Sequence, residues 1–134
     1  PYPLSWRRIG SDKGAASAAL FNPDGTIRAY LNVTPAIRQE TLAGWARFRL
    51  AHNADEGDRN VRLLAKQTDE AFDGGRGSCV EDQYTTTRTA YRELACVVAT
   101  AGRGVPTVLV AAAQPAAWNT ERSVLQFAIA HFSS

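Results

Sequence analysis

The spacing of hydrophobic positions changes along this chain, and the changes mark its elements. From residue 26 to 34, Ile27, Ala29, Leu31 and Val33 alternate with Arg28, Tyr30, Asn32 and Thr34, the period of a half-buried strand. Residues 15–21 read as a partner strand. Between the two lies Asn22-Pro23-Asp24-Gly25, where proline presets φ, aspartate offers an acceptor and glycine tolerates positive φ. The pair predicts a β-hairpin ending at Pro35. Over residues 39–52 the spacing lengthens: Leu42, Trp45, Ala46 and Phe48 or Arg49 recur at intervals of three and four, predicting a helix that buries Leu42 and Trp45.

A polar loop follows at residues 53–58. Residues 61–72 carry two periods at once. Val61, Leu63 and Ala65 fit a strand while Leu64 and Ala71 also fit a helical turn; the strand is preferred. The glycine-rich stretch 73–77 predicts a turn that opens a strand carrying Cys79, and a further strand covers 91–99. After a turn at 101–104, residues 106–113 are apolar throughout, as in a central strand covered on both faces. Pro115 then introduces a helix over 116–132. Its stripe is Trp118, Leu125, Ala128, Ile129 and Phe132, with Glu121, Arg122 and Gln126 on the polar side. The order predicts one α+β domain across residues 1–134, an antiparallel sheet flanked by helices.

Cys79 and Cys96 bracket a Thr- and Tyr-rich stretch of high strand preference. A fold-back around Thr87 and Arg88 sets Cys79 opposite Cys96 and Tyr84 opposite Tyr91, on opposite faces of the hairpin. Cross-strand Cβ separations of about 4.5–5.5 Å suit a bridge, so a disulfide is preferred over two buried free thiols. The same register sets Asp82 against Glu93, a like-charge pair that counts against it. A disulfide implies an oxidising, extracytoplasmic compartment.

Hydrophobic residues at 45% and charged residues at 21% give a globular balance that rules out general disorder. A net charge of +2 is too small for a nucleic-acid footprint. No apolar run reaches the ~18–20 residues that a membrane-spanning helix needs. The chain starts at Pro1 and has no methionine, which reads as a cut start, made by processing or by design of the chain, and leaves room for a signal or anchor segment upstream.

No catalytic, cofactor or metal motif stands out. His52 and His131 sit near predicted helix ends, where the helix dipole favours positive charge. Asn53, Asp55, Glu56 and Asp58 cluster oxygens, but the sixth and twelfth positions of a calcium loop starting at Asn53 hold Asp58 and Leu64. Gly74-Gly75-Arg76-Gly77 lacks the lysine of a phosphate loop and opens a strand. Arg7, Arg8, Arg47, Arg49, Arg59 and Arg62 form the densest basic region, a candidate for an anionic partner or lipid headgroup. Trp6, Trp45, Trp118, Tyr84 and Tyr91 are expected in the core or on the sheet, with a ligand groove between sheet and helix as the alternative.

The hairpin, helix and run of strands, with Tyr91-Arg92-Glu93 opening one strand, Ala113-Gln114-Pro115 leading into Trp118, and a terminal Ala130-His131-Phe132, resemble the Mog/PsbP superfamily. The likeness is strongest to its small bacterial extracytoplasmic domains and lipoproteins, and it spans Trp6 to Phe132. It implies an α/β/α sandwich and a non-enzymatic role as an accessory or interaction domain, with a protein or cell-envelope partner and no cofactor. A small-ligand or lipid carrier using a sheet–helix groove is the alternative. No site residue carries over from the resemblance.

Overall fold

A computed structural model describes residues 3–73, 75–99 and 105–132. In chain order the elements are β1 (Arg7–Ile9), β2 (Ala16–Phe21), β3 (Ile27–Pro35), α1 (Trp45–Asp55), β4 (Arg59–Phe72), β5 (Gly75–Thr85), β6 (Ala90–Ala99), β7 (Thr107–Ala113) and α2 (Pro115–Ala130). The strands form one seven-stranded sheet in the order β1-β2-β3-β7-β6-β5-β4. Every neighbouring pair is antiparallel. Two meanders therefore meet at β3–β7, and α1 carries the chain from the middle of the sheet to its far edge. With two helices this is the expected α+β arrangement.

The β2–β3 turn uses the residues that predicted it. Gly25 has φ +84°, and Asp24 accepts hydrogen bonds from the Thr26 backbone N–H at 2.9 Å and the Thr26 hydroxyl at 2.6 Å. Cys79 and Cys96 are register partners joined by a disulfide, with sulfurs 2.08 Å apart. Tyr84 pairs with Tyr91 and Asp82 with Glu93 in the same ladder. The register expected from the cysteines is the one adopted, including the acidic pair that counted against it.

Three elements depart from expectation. Helix α1 begins at Trp45 rather than near residue 39, because the preceding residues turn on themselves: the Ile37 N–H donates to Glu40 Oε2 at 2.6 Å and the Gly44 N–H to Thr41 Oγ1 at 3.1 Å. β4 is a strand, but its pairing with β5 slips in three places, and Asn60 and Asp69 take positive φ of 55° and 61°. Each bulge shifts the alternation by one residue, which is why two periods overlap in its sequence. The glycine turn is shorter than expected. β5 already begins at Gly75, and Gly77 is buried against β6, where a Cβ would lie 2.6 Å from the Val97 carbonyl oxygen. Gly74 and the expected turn at 101–104 lie outside the described residues.

Successive strand residues point to opposite faces, and the buried side chains divide accordingly. Cys96, Val98, Leu109 and Ala111 join Trp118, Leu125 and Ile129 of α2 in one core. Ala95, Val97, Val108 and Val110 join Trp45 of α1 in the other. The central strand β7 is buried along most of its length, and Ala111, Ala112 and Ala113 expose nothing.

Candidate functional site

The ionisable groups that converge most closely lie under α1. Sheet register sets Tyr30 of β3, Ala112 of β7, Glu93 of β6 and Asp82 of β5 in one row across four strands. The small side chain of Ala112 leaves space between the tyrosine and the carboxylates. Trp45, Arg49 and Asn53 lie four residues apart and so share one face of α1. Each reaches the sheet with a polar head. Trp45 Nε1 donates to the Ala95 carbonyl at 2.8 Å. Arg49 clamps Glu93 with both ends of its fork, Nε to Oε1 at 2.6 Å and Nη2 to Oε2 at 2.9 Å. Asn53 Nδ2 donates to Asp82 Oδ2 at 3.1 Å. At the far end of the row the Tyr30 and Tyr84 hydroxyls are 2.6 Å apart.

Asp82 and Glu93 both have 0% of their surface exposed. One guanidinium faces two carboxyls, so the second carboxyl keeps its proton: burial first, and the Glu93 charge second, push Asp82 up to about 8 against the pull of Arg49. Asp82 Oδ1 has no hydrogen-bond partner, a position in which an ionised oxygen would be stranded. Burial alone would lower Arg49, but the Glu93 carboxylate overrides it and holds the guanidinium charged. Burial likewise raises Tyr30 and Tyr84. A protonated acid beside a carboxylate has the electronics of an acid–base pair, yet both groups are sealed from solvent beneath α1. Neither of the two surface grooves described next is lined by them. The cluster holds the helix to the sheet.

Two open grooves lie on the α2 side. A helix about 10 Å across cannot cover seven strands spaced about 4.8 Å apart, and a groove lies on each flank of α2, with Ile129 lining both. The first groove, about 480 Å³, runs beside β2 and β3; Ala16, Ala18, Leu31, Val33, Leu109 and Phe132 line it and Arg8 is its single charged residue. The second, about 360 Å³, runs beside β4 and β5 over the disulfide and is lined by Lys66, Arg122, Glu70 and a Glu81 that pairs with Arg92. The N-terminal part of α2 is tied down between them. Arg28 Nε donates to Glu121 Oε1 at 3.0 Å, Gln114 Nε2 to the Ile27 carbonyl at 3.1 Å, and the Arg92 guanidinium lies 5.1 Å from the Trp118 ring centre.

The structure splits one of the sequence candidates and places the others near where they were expected. The basic region is not one patch: β1 and β4 are opposite edges of the sheet, which separates Arg7 and Arg8 from Arg59 and Arg62, and Arg49 is committed to Glu93. His52 lies 3.0 Å from Glu56 in the last turn of α1, and His131 follows α2, its ring 4.1 Å from that of Phe127 and tilted 52° to it. Of the loop oxygens, Asn53 is drawn inward by Asp82 and belongs to α1. Trp6, Trp45, Trp118 and Tyr84 are buried, while Tyr91 is half-buried. Among the described residues no three His, Cys, Asp or Glu side chains are grouped to hold a metal, and no helix is long and apolar enough to cross a membrane. The buried cluster itself was missed by sequence reading. Its signal was the Asp82–Glu93 pairing, which two apolar strands can bury only with a cation supplied from elsewhere.

No family model and no curated protein matches the sequence. Solved structures do resemble it. A Pseudomonas aeruginosa protein of unknown function, described as a putative regulator, superposes with a TM-score of 0.66 at 13% identity, covering 89% of this chain and 81% of that one. LpqN of Mycobacterium tuberculosis, involved in cell envelope biogenesis, gives a TM-score of 0.56 at 16% identity, over 94% of this chain and 76% of that one. Cyanobacterial PsbP (CyanoP) from Synechocystis sp. PCC 6803 gives 0.60 at 20% identity, over 96% and 81%. The chain has the PsbP-like fold.

Proposed function

We propose that this chain is a non-enzymatic extracytoplasmic accessory domain that presents the α2 side of its sheet to a protein or cell-envelope partner. The observation that carries the reading is that the converging ionisable groups are sealed under α1, whereas two open grooves flank α2. We take residues 1–134 as one functional domain and its layering as an α/β/α sandwich. The disulfide and the likeness to an envelope protein support an extracytoplasmic location. The test is site-specific photo-crosslinking in the native cell envelope, from Gln126 on the rim of the second groove and from Arg47 on α1. A discrete adduct from Gln126 and none from Arg47 is expected. Adducts from Arg47 alone would overturn the assignment.

A second reading is favoured by one specific observation, the apolar groove with a single arginine: carriage of a small ligand between sheet and helix. Displacement of a bound environment-sensitive dye by a single-chain amphiphile tests it, and a dye that never binds counts against it.

A further inference from the structure

We propose that the groove between β2–β3 and the C-terminal half of α2 binds a single-chain anionic amphiphile, its hydrocarbon chain on the Ala18–Leu31–Val33 floor and its head group on Arg8. The inference rests on the carriage reading and names its ligand class.

Size comes first. A volume of about 480 Å³ falls within the range of small-ligand sites, roughly 300–1,000 Å³, and is too small for a folded partner. The character of the floor comes next. Ala18 pairs with Leu31 and Ala16 with Val33, so strand alternation lays four apolar side chains on the α2 side. The backbone groups of β2 and β3 beneath them are already paired with each other. Ser17 and Asn32, the register pair between Ala18–Leu31 and Ala16–Val33, turn their side chains to the other face, where they bond each other at 2.7 Å. A peptide laid here would find few partners for its amides, and each buried unpaired amide is costly. A hydrocarbon chain has none to satisfy.

Charge selects the head group. Arg8 is the register partner of Ala18 and therefore lies on the same side of the sheet. It is exposed, and among the described residues no carboxylate pairs with it. The second groove sets Lys66 and Arg122 beside Glu70 and a Glu81 already held by Arg92, so an anionic head group there would meet carboxylates as well as cations.

The experiment titrates the protein by calorimetry with dodecyl phosphate, dodecyl maltoside and inorganic phosphate, each below any micellar concentration. Dodecyl phosphate is expected to bind, inorganic phosphate not. Arg8→Gln should weaken dodecyl phosphate by about tenfold, the scale of one lost charge-assisted contact, and leave dodecyl maltoside unchanged. Ala16→Trp, at an exposed groove position, should abolish binding of both amphiphiles without altering the melting temperature by more than a few degrees. Equal binding of the two amphiphiles, indifferent to Arg8→Gln, overturns the anionic assignment and leaves the carriage reading standing. No binding of either removes both. Binding to anionic vesicles but not to the monomer overturns the groove in favour of a membrane-docking surface, and binding that survives Ala16→Trp places the ligand elsewhere.

Discussion

Replacing Arg49 with methionine removes the guanidinium and keeps most of the side-chain volume. The side chain of Glu93 has 0% exposure, and Arg49 makes both of the hydrogen bonds described for its carboxylate. Asp82 lies directly opposite. Losing the cation leaves two acids in an apolar site, and breaking a buried pair in this way costs about 3–5 kcal/mol. At roughly 3–5 °C per kcal/mol for a chain of this length, the melting temperature should fall by on the order of 10–20 °C. The deficit should depend on pH. In the variant Glu93 can stay buried only with a proton on its carboxyl, and holding that proton costs more as pH climbs. The gap between Arg49→Met and wild type is therefore largest at neutral pH and narrows towards pH 4. Urea midpoints followed by tryptophan fluorescence at several pH values measure this, and Trp45, one helical turn from Arg49, reports the loss of α1. Adding Asp82→Asn and Glu93→Gln to Arg49→Met should recover much of the loss. A penalty below about 1 kcal/mol, or one constant from pH 4 to 8, would refute the claim that Arg49 neutralises a sealed carboxylate.

In the wild type, Asp82 ionises near 3.9 when unfolded and at about 8 when folded, so stability should decline as pH rises through that window. Asp82→Asn should flatten the decline, as read from urea midpoints. Replacing Cys79 and Cys96 together by alanine opens a loop with a sequence separation of 17 and should cost about 3 kcal/mol, with a higher m-value as the unfolded chain expands. Gly77→Ala places a methyl group 2.6 Å from the Val97 carbonyl oxygen and should destabilise by about 2 kcal/mol or more through forced opening of β5–β6, seen as faster amide exchange in that ladder. Gly25→Ala, which meets no atom within 4 Å but keeps φ +84°, should cost only about 1 kcal/mol.

How much of this was legible in the sequence depends on how each segment buries its surface. β3 alternates cleanly and α2 carries an apolar stripe, so both read correctly, and the Cys and Tyr pairs of one hairpin fixed its register. β1 is three residues long, too short to display any period. β4 hides its alternation behind its bulges. α1 is the instructive case. Trp45, Ala46 and Phe48 mark the helix, but the face that meets the sheet also carries Arg49 and Asn53, whose role no apolar stripe announces. The site failed for the same reason. Asp82 opposite Glu93 reads as repulsion when the hairpin is taken alone, and becomes an anchoring point only when a helix more than 25 residues away in sequence brings its arginine.

The two helices are thus attached by unlike means, and the difference bears on function. α1 is held by three directional tethers at fixed spacing, each lost if the helix slides by one residue. α2 is tied by polar contacts towards both ends, Gln114 and Glu121 at one and the Ala130 carbonyl, which accepts from the Asp73 N–H at 3.2 Å, at the other, while Leu125 and Ile129 rest on the sheet between them. Alanines and a disulfide floor the sheet beside it, and side chains of that size leave grooves where larger ones would close them. A face that must accommodate a partner or an acyl chain needs such grooves; a face that only stabilises the fold does not. Buried charges beneath α1 and an open, small-residue surface beside α2 are the arrangement that the proposed binding on the α2 side requires.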